Sequence, residues 1–403
     1  MNCFLDKSSK ILYNYSVMDT GPLCERWKRM SNVAYKFRIY PNKEQQILII
    51  RTFGCCRKVW NLMLDDKKEY YEKNKAMLNT TPAKYKKEYP FLKEVDSLAL
   101  ANVQLNLQKA FKSFFNKKAR FPKRKTRRHS KKSYTTNNVN KNIKIVDDRH
   151  IILPKLKNVK AKIHRSIPEN YVIKSATISQ ERDGKFYCSI LFEYEKTILK
   201  KEINTSNAIG LDYKSNGLYM DSNGNIGSNH KYYRESHKKL AKAQRKLSRK
   251  KGSKKGERKS KNYLKQLKKV NKIYKHISNQ RLDNLHKLST EIANQYDVVC
   301  VEELNMRAMS NKGFGNGKAT LDNGFGIFLN MLEYKLNDRG KYFIKVDKWY
   351  PSSQICHCCG SKKKLTLEQR VYECKCGYVC DRDYNAAKNI LDEGLRLLRE
   401  NIA

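Results

Sequence analysis

Ser352–Leu391 reads SSQICHCCGSKKKLTLEQRVYECKCGYVCDRDYNAAKNIL. Two cysteine pairs, Cys356/Cys359 and Cys374/Cys376, are followed within a few residues by Asp381-Arg382-Asp383-Tyr384-Asn385-Ala386-Ala387. Thiol pairs on either side of a basic, hairpin-like stretch are the donor set of a tetrahedral zinc site, and Gly360 and Gly377 let the backbone turn beneath the sulfurs. The second pair is one residue tighter than the commoner spacing, so Cys358, His357 and Cys380 stand as substitute ligands. Four protein ligands leave no open position for a substrate, which makes such a zinc structural. Asp383 precedes an apolar stripe of Ala386, Ala387, Ile390, Leu391, Leu395 and Leu398, whose spacing places it on the first turn of a C-terminal helix. Asp381 suits the N-cap of that helix.

Two further acids share the chemistry that Asp383 suggests. Ala208-Ile209-Gly210-Leu211-Asp212 is a short apolar run ending in an acid, followed by a tight return and a second strand through Gly217-Leu218-Tyr219-Met220. Val298-Val299-Cys300-Val301-Glu302 repeats the pattern and suits a buried central strand. An acid at the end of such a strand either meets water there or holds something. Three acids brought together from two strands and a helix would repel one another. Magnesium resolves the repulsion, because it takes oxygen ligands and bridges carboxylates, phosphate and water. Two such ions about 4 Å apart would activate a water and stabilise the leaving oxygen in phosphodiester cleavage. Asp212, Glu302 and Asp383 are therefore the candidate catalytic and magnesium-binding residues, with Asp381 and Glu303 as close rivals.

Composition points to the same kind of substrate. Of 403 residues, 85 are Lys or Arg and 39 Asp or Glu, a formal charge of +46. So large a surplus calls for a polyanion, and nucleic acid is the first candidate. No apolar run approaches the roughly 20 residues of a spanning helix, so no membrane partner is expected. Residues 1–30 lack the pattern of a secretory signal, which together with cysteines at no framework spacing, among them Cys3, Cys24, Cys188 and Cys300, predicts a cytoplasmic protein.

The N-terminal half reads as two kinds of structure. Val33–Tyr40 alternates like a half-buried strand and stops at Pro41. A helix over Lys43–Tyr71 is predicted with Ile47, Ile50, Phe53, Val59, Leu62 and Leu64 on its apolar face around Gly54. A second helix covers Ser97–Lys118, after a Lys- and Tyr-rich linker from Pro82 to Pro90. Beyond Arg120 the period shortens to strands at Ile143–Val146, His150–Leu153, Val159–Ile163, Ala176–Gln180 and Phe186–Glu193, the last two joined by a hairpin at Gly184. A small barrel or curled sheet would close them. Two basic stretches flank this region. Lys117–Lys132, with Phe121-Pro122 and His129, is either a solvated face or a clamp on a phosphate backbone. Lys238–Lys275 reads as two helices broken near Gly252–Gly256 and facing nucleic acid.

Taken in order, several motifs resemble one family, the TnpB (OrfB) proteins encoded by transposons, relatives of the compact type V CRISPR effector nucleases. They are Tyr35-Lys36-Phe37-Arg38-Ile39-Tyr40-Pro41, Thr52-Phe53-Gly54-Cys55-Cys56-Arg57, Gly210-Leu211-Asp212, Gln280-Arg281-Leu282-Asp283 with His286-Lys287-Leu288-Ser289, Val301-Glu302-Glu303-Leu304-Asn305, and the cysteine pairs leading to Asp383-Tyr384-Asn385-Ala386-Ala387. The resemblance spans Val33 to Leu391. It implies a multidomain α+β and α/β chain whose RuvC-like core of the RNase H fold uses Asp212, Glu302 and Asp383 as its triad. It further implies an RNA-guided DNA endonuclease that engages a guide RNA and double- and single-stranded DNA.

The module boundaries expected on that basis are an N-terminal extension over 1–32, with Met30 as an alternative start, and a small β-barrel wedge domain over 33–42 and 119–205. A helical recognition lobe of helix-turn-helix type covers 43–118. The nuclease covers 206–350 and 379–403, and a zinc ribbon that binds nucleic acid is inserted at 351–378. The competing functions are a transposase that joins strands itself and a non-catalytic regulator that binds nucleic acid. Eight histidines and no tyrosine in a paired-histidine setting speak against the first, and the intact acidic trio against the second.

Overall fold

A computed structural model describes residues 26–199, 202, 204–228, 230–250, 259–311, 317–366 and 368–400. Cys3, Cys24, the first 25 residues of the expected extension and the helix break near Gly252–Gly256 lie outside the described residues. Contacts divide the chain into two units, Arg29–Lys196 with Arg234–Ser278, and Thr197–Tyr233 with Asn279–Ala403 and Met1–Lys28.

The first unit is built on a seven-stranded sheet of order β2-β6-β7-β1-β5-β4-β3, with β2 and β3 at its two ends. Its strands are β1 (Arg26–Ile39), β2 (Ser133–Asn137), β3 (Lys144–Asp147), β4 (His150–Leu153), β5 (Lys157–Lys162), β6 (Val172–Gln180) and β7 (Phe186–Leu199). Gly184, with φ of +90°, turns β6 into its antiparallel partner β7. The strand β2 was not anticipated, because Ser-Tyr-Thr-Thr-Asn carries almost no apolar signal; Tyr134 and Thr136 are nevertheless its buried side chains.

Helix α1 (Lys43–Asn74) starts at a reciprocal cap, in which Asn42 Oδ1 accepts from Gln45 N at 2.8 Å and Gln45 Oε1 accepts from Asn42 N at 3.0 Å. Ile47 and Ile50, expected on its buried face, are 55% and 49% exposed. Phe53, Val59 and Leu64 are buried as expected, and the face is completed by Ile49, Cys56, Trp60 and Met63, at the steps of three and four that a single helix face requires. It meets α2 (Ser97–Phe115) through Leu100, Val103, Leu107 and Phe111, in one core with Phe37, Ile178, Ile190 and Phe192 of the sheet. The Pro82–Pro90 linker folds into short helical turns. After α2, the basic segment is tied down in part: Trp60 Nε1 donates to Lys123 O at 3.0 Å and Lys125 N to Asn61 Oδ1 at 2.7 Å, while Arg127, Arg128 and His129 are exposed.

The basic stretch at 238–275 forms α3 (Tyr232–Ser248) and the start of α4 (Lys261–Gln295). Expected within the nuclease module, Arg234–Ser278 groups instead with the seven-stranded sheet. The physical reason is local: Gln266 Nε2 donates to Ala243 O at 3.0 Å, Asn271 Nδ2 donates to Arg182 O at 3.0 Å, and Lys275 pairs with Glu181 at 2.7 Å. The two helices hold each other, and α4 holds the hairpin at Gly184.

The second unit has a four-stranded sheet of order β11-β10-β8-β9, formed by β8 (Ala208–Tyr213), β9 (Tyr219–Asp221), β10 (Val298–Glu302) and β11 (Tyr342–Val346). Strands β8, β10 and β11 are parallel, and β9 is antiparallel to β8. Val299 and Val301 of β10 face a core with Leu285 and Ile292 of α4 and Phe325, Phe328 and Leu332 of α5 (Phe325–Asn337). Val298 and Cys300 face the opposite layer, where Ile390 and Leu398 of α6 (Arg382–Glu400) close the core. A sheet covered on both faces explains why β10 is continuously apolar.

Candidate active site and cysteine cluster

The parallel register of β8 and β10 sets the first two acids side by side. Val301 is paired with Leu211, so Glu302 and Asp212, the next residue on each strand, leave the sheet at the same end. The third acid arrives on α6, and two glycines determine how close that helix can come. A Cβ on Gly210 would collide with Ala387 O and stand 2.9 Å from Leu391. A Cβ on Gly394 would collide with Cys300 Sγ. Helix and strands therefore meet almost backbone to backbone. Asp381 Oδ1 caps the helix by accepting from Asp383 N at 2.8 Å and Tyr384 N at 3.1 Å, as expected for an N-cap.

Asp212, Glu302 and Asp383 line one cleft of about 390 Å³ together with Tyr213, Lys348, Trp349, Tyr350, Ser352, Gln354 and Arg382. Burial, then the neighbouring charges of Glu302 and Asp383, hold the Asp212 carboxyl well above the usual carboxylate range. Burial also pushes Glu302 up to about 7. Two carboxyl groups thus sit in surroundings that resist their ionisation, the condition that a bound cation reverses. The nearest compensation is Lys214, whose Nζ pairs with Asp383 Oδ2 at 2.7 Å and lies 3.9 Å from Asp381 Oδ1. Arg382 Nε lies 3.9 Å from Asp383 Oδ1. Of the two rivals, Asp381 is engaged as the cap, and Glu303 is exposed and does not line the cleft.

Lys214, Arg382 and Trp349 were not singled out from the sequence. Lys214 was within reach, since two steps along a strand from Asp212 return a side chain to the same face. Trp349 lies in an irregular segment with no periodicity to mark it.

In the chain the cysteine cluster lies between two parts of the cleft lining, Lys348–Gln354 and Arg382–Asp383. The sulfurs of Cys356, Cys359, Cys374 and Cys376 all lie within 4.8 Å of one another, with Cys356 to Cys376 at 3.7 Å and Cys359 to Cys374 at 3.5 Å. Gly360 and Gly377 take φ of +73° and +88° at the two knuckles, a region open to glycine at little cost. On either side of the second knuckle, β12 (Val371–Glu373) pairs with β13 (Val379–Asp381). Fully buried Tyr372 donates its hydroxyl proton to Gln354 O at 3.2 Å. Of the substitutes, Cys358 and Cys380 stand outside this group of four, and His357 Nδ1 is 3.0 Å from Asp392 Oδ2.

Two buried asparagines join the cluster to the cleft. Asn385 Nδ2 donates to Ile355 O at 2.7 Å, and Asn389 Nδ2 donates to Ser352 O and Ile355 O, each at 2.7 Å. They lie one turn apart on α6, so the helix whose first turn presents Asp383 also grips the segment that leads into the first knuckle.

Family models match along the chain in three places: a helix-turn-helix domain of the OrfB_IS605 type at residues 30–76, "Probable transposase" OrfB_IS605 at 189–313, and a Cas12f1-like TNB domain at 325–390. A Streptomyces pristinaespiralis protein named "Putative RNA-guided DNA endonuclease" is 34% identical over 90% of this chain and 89% of its own. An Escherichia coli K12 protein, "Putative RNA-guided DNA endonuclease InsQ", is 29% identical over 91% of this chain and 93% of its own. In structure, the chain is similar to Cas12f1 solved by cryo-EM in a complex with sgRNA and target DNA, with a TM-score of 0.57, 14% identity, and coverage of 90% of this chain and 99% of that one. At that identity the likeness concerns the fold. Identity sustained over nearly the full length of two relatives, with the family models tiling the same residues, leads to one conclusion: the chain belongs to the TnpB (OrfB) family of IS605-type elements.

Proposed function

We propose that this chain is the RNA-guided DNA endonuclease of a transposable element and hydrolyses phosphodiester bonds at the cleft formed by Asp212, Glu302 and Asp383. One observation carries the reading: three acids from two strands and a helix converge on a single cleft in a chain of net charge +46. A protein built to bind a polyanion has no use for carboxylates in a cleft unless they hold a cation against it.

The donor set fits magnesium. Three carboxylates supply hard oxygen ligands, and one lysine is their principal counter-charge. Asp212, Glu302 and Asp383 would hold the ion, which when bound would polarise the phosphodiester and lower the pKa of a water. The chain's own residues do the rest. Buried β8 and β10 fix Asp212 and Glu302, Asp381 fixes the helix turn that bears Asp383, and Lys214 orients the Asp383 carboxylate. Arg382 and Lys348 offer cations to the phosphates of an incoming strand.

The cysteine set fits a structural zinc. Zn–S bonds of about 2.3 Å in a tetrahedron place sulfurs roughly 3.8 Å apart, near the 3.5 and 3.7 Å separations of two pairs. In this reading the four-stranded sheet with α6 is a RuvC-like core of the RNase H fold, and 351–378 is a zinc ribbon inserted in it. The sheet at 33–42 and 119–205 is the wedge, and 43–118 is the recognition lobe. The names of the relatives support a guide RNA, which would read the target by pairing while the protein reads duplex shape. No helix among the described residues is long and apolar enough to cross a membrane.

The test is direct. Protein purified from its host should carry RNA, and DNA matching the sequence of that RNA should be cut in magnesium and left intact in chelator. Absence of a defined bound RNA, with magnesium-dependent cutting intact, would remove the guide and leave a metal nuclease.

A further inference from the structure

Of the three aromatic side chains that line the cleft, Tyr213, Trp349 and Tyr350, one stands out in solvent. Trp349 lines it alongside the three acids and is 80% exposed, more than any other large hydrophobic side chain among the described residues. An indole is usually buried for its area, so holding one in water costs stability unless something covers it. Its backbone is fixed: Trp349 N donates to Asp347 Oδ1 at 2.8 Å, and Tyr350 N donates to Asp347 O at 3.0 Å. Two residues further on, the chain is gripped through Ser352 O by buried Asn389. The ring is therefore presented on a short, anchored turn. One cation lies over it, Lys348 Nζ at 4.9 Å from the ring centroid, and Arg382 lines the same cleft while Lys214 pairs with Asp383.

We propose that Trp349 is a binding residue of the cleft, a stacking platform for one unpaired nucleobase next to the scissile phosphate. The proposal rests on the nuclease reading of the same cleft. An exposed apolar ring, cations and the three acids lining one cleft match the parts of one nucleotide: base on the ring, phosphates on the cations. Stacking tolerates any base, because every base has a π-face, and it suits a site that must accept any sequence a guide selects. The ring touches the substrate and leaves the reacting atoms to the acids. Its work is to set the position of the strand along the cleft.

A double substitution of protein and DNA tests this. Protein with its copurified RNA is given DNA of the matching sequence, already unpaired across the target, in which a single abasic residue is moved one position at a time along the cut strand. At one position the abasic residue should slow single-turnover cleavage by wild-type protein about tenfold, and Trp349→Ala should slow cleavage of intact DNA by a similar factor. Combined, the two should cost no more than either alone, while Trp349→Phe should recover most of the rate. Cutting of intact DNA by Trp349→Ala at the wild-type rate overturns the proposal, as does a tenfold abasic effect that persists in that variant. Wild-type cutting no faster than that of Asp212→Asn would defeat the nuclease reading itself, and the stacking proposal with it.

Discussion

The acidic cleft and the cysteine cluster are neighbours in sequence, and each gathers donor atoms that would repel or oxidise if left alone. They differ in what gathers them. Asp212 and Glu302 stand at the ends of buried parallel strands, and Asp383 stands on a helix pressed against those strands at Gly210 and Gly394. The fold makes that site and pushes its carboxyl groups together against their own electrostatics. Around the four cysteines there is less to do the same: two three-residue strands, one buried tyrosine, two glycine knuckles and the grip of Asn385 and Asn389 on Ile355. There the site makes the fold. Metal removal should therefore leave the cleft in shape and dissolve the cluster.

The largest effect should come from Asp212→Ala. Loss of a ligand to a catalytic cation removes several kcal/mol of transition-state stabilisation, about a thousandfold in cleavage rate, with zinc content and thermal unfolding close to wild type. Unchanged cleavage would show that chemistry happens elsewhere. Next, Cys359→Ser should reduce zinc from one ion per chain toward none by metal analysis. Hydrogen exchange should quicken across Val371–Asp381 and stay slow across Val298–Glu302. Equal quickening in both would mean that the ribbon and the sheet unfold as one, and the contrast drawn above would fall.

Gly210→Ala should destabilise the second unit by about 1–3 kcal/mol, since the added methyl must push α6 away from β8. It should also lower cleavage by moving Asp383. The smallest effect concerns pH. The Glu302 carboxyl titrates near 7 when buried without a cation and near 4.3 in an unfolded chain. The folded form binds the proton more tightly, so metal-free stability should fall as pH rises from about 4 through 7. Glu302→Gln should remove its own share of that slope, leaving the share that the raised Asp212 carboxyl contributes, and raise metal-free stability at pH 8 by on the order of 2 kcal/mol. A melting profile that is flat in pH for wild-type protein in chelator would show that Glu302 is less strained than its burial suggests.

Much of this was legible in the sequence for a physical reason. An apolar run short enough for a strand and ended by an acid marks where that acid leaves the sheet, and the places of Asp212 and Glu302 could be read from that pattern. The stripe after Asp383 fixed its helix, and the four cysteines that cluster are the ones chosen by spacing. What could not be read was whatever lacked a period. The strand Ser133–Asn137 is polar, Trp349 sits in a loop, and the exposure of Ile47 and Ile50 depends on which face of α1 meets α2. The grouping of Arg234–Ser278 depends on single hydrogen bonds to a distant hairpin, which no local pattern announces.

The two asparagines of α6 have a consequence for how such chains can vary. Asn385 and Asn389 grip the main chain at Ser352 and Ile355 from positions one turn apart, on the helix whose first turn carries Asp383. A single residue added or lost between Asp383 and Asn389 would rotate the grip by about 100° relative to the acid and undo both. The exposed stretch between the knuckles is held at its start, where Lys362 bridges to Ile355 and Lys363 N donates to Gln354 O at 2.8 Å, and is freer from exposed Lys364 onward. Length changes, natural or engineered, should accumulate there, making that loop the place to graft a reporter or a longer nucleic-acid-binding finger without disturbing the spacing that the helix keeps.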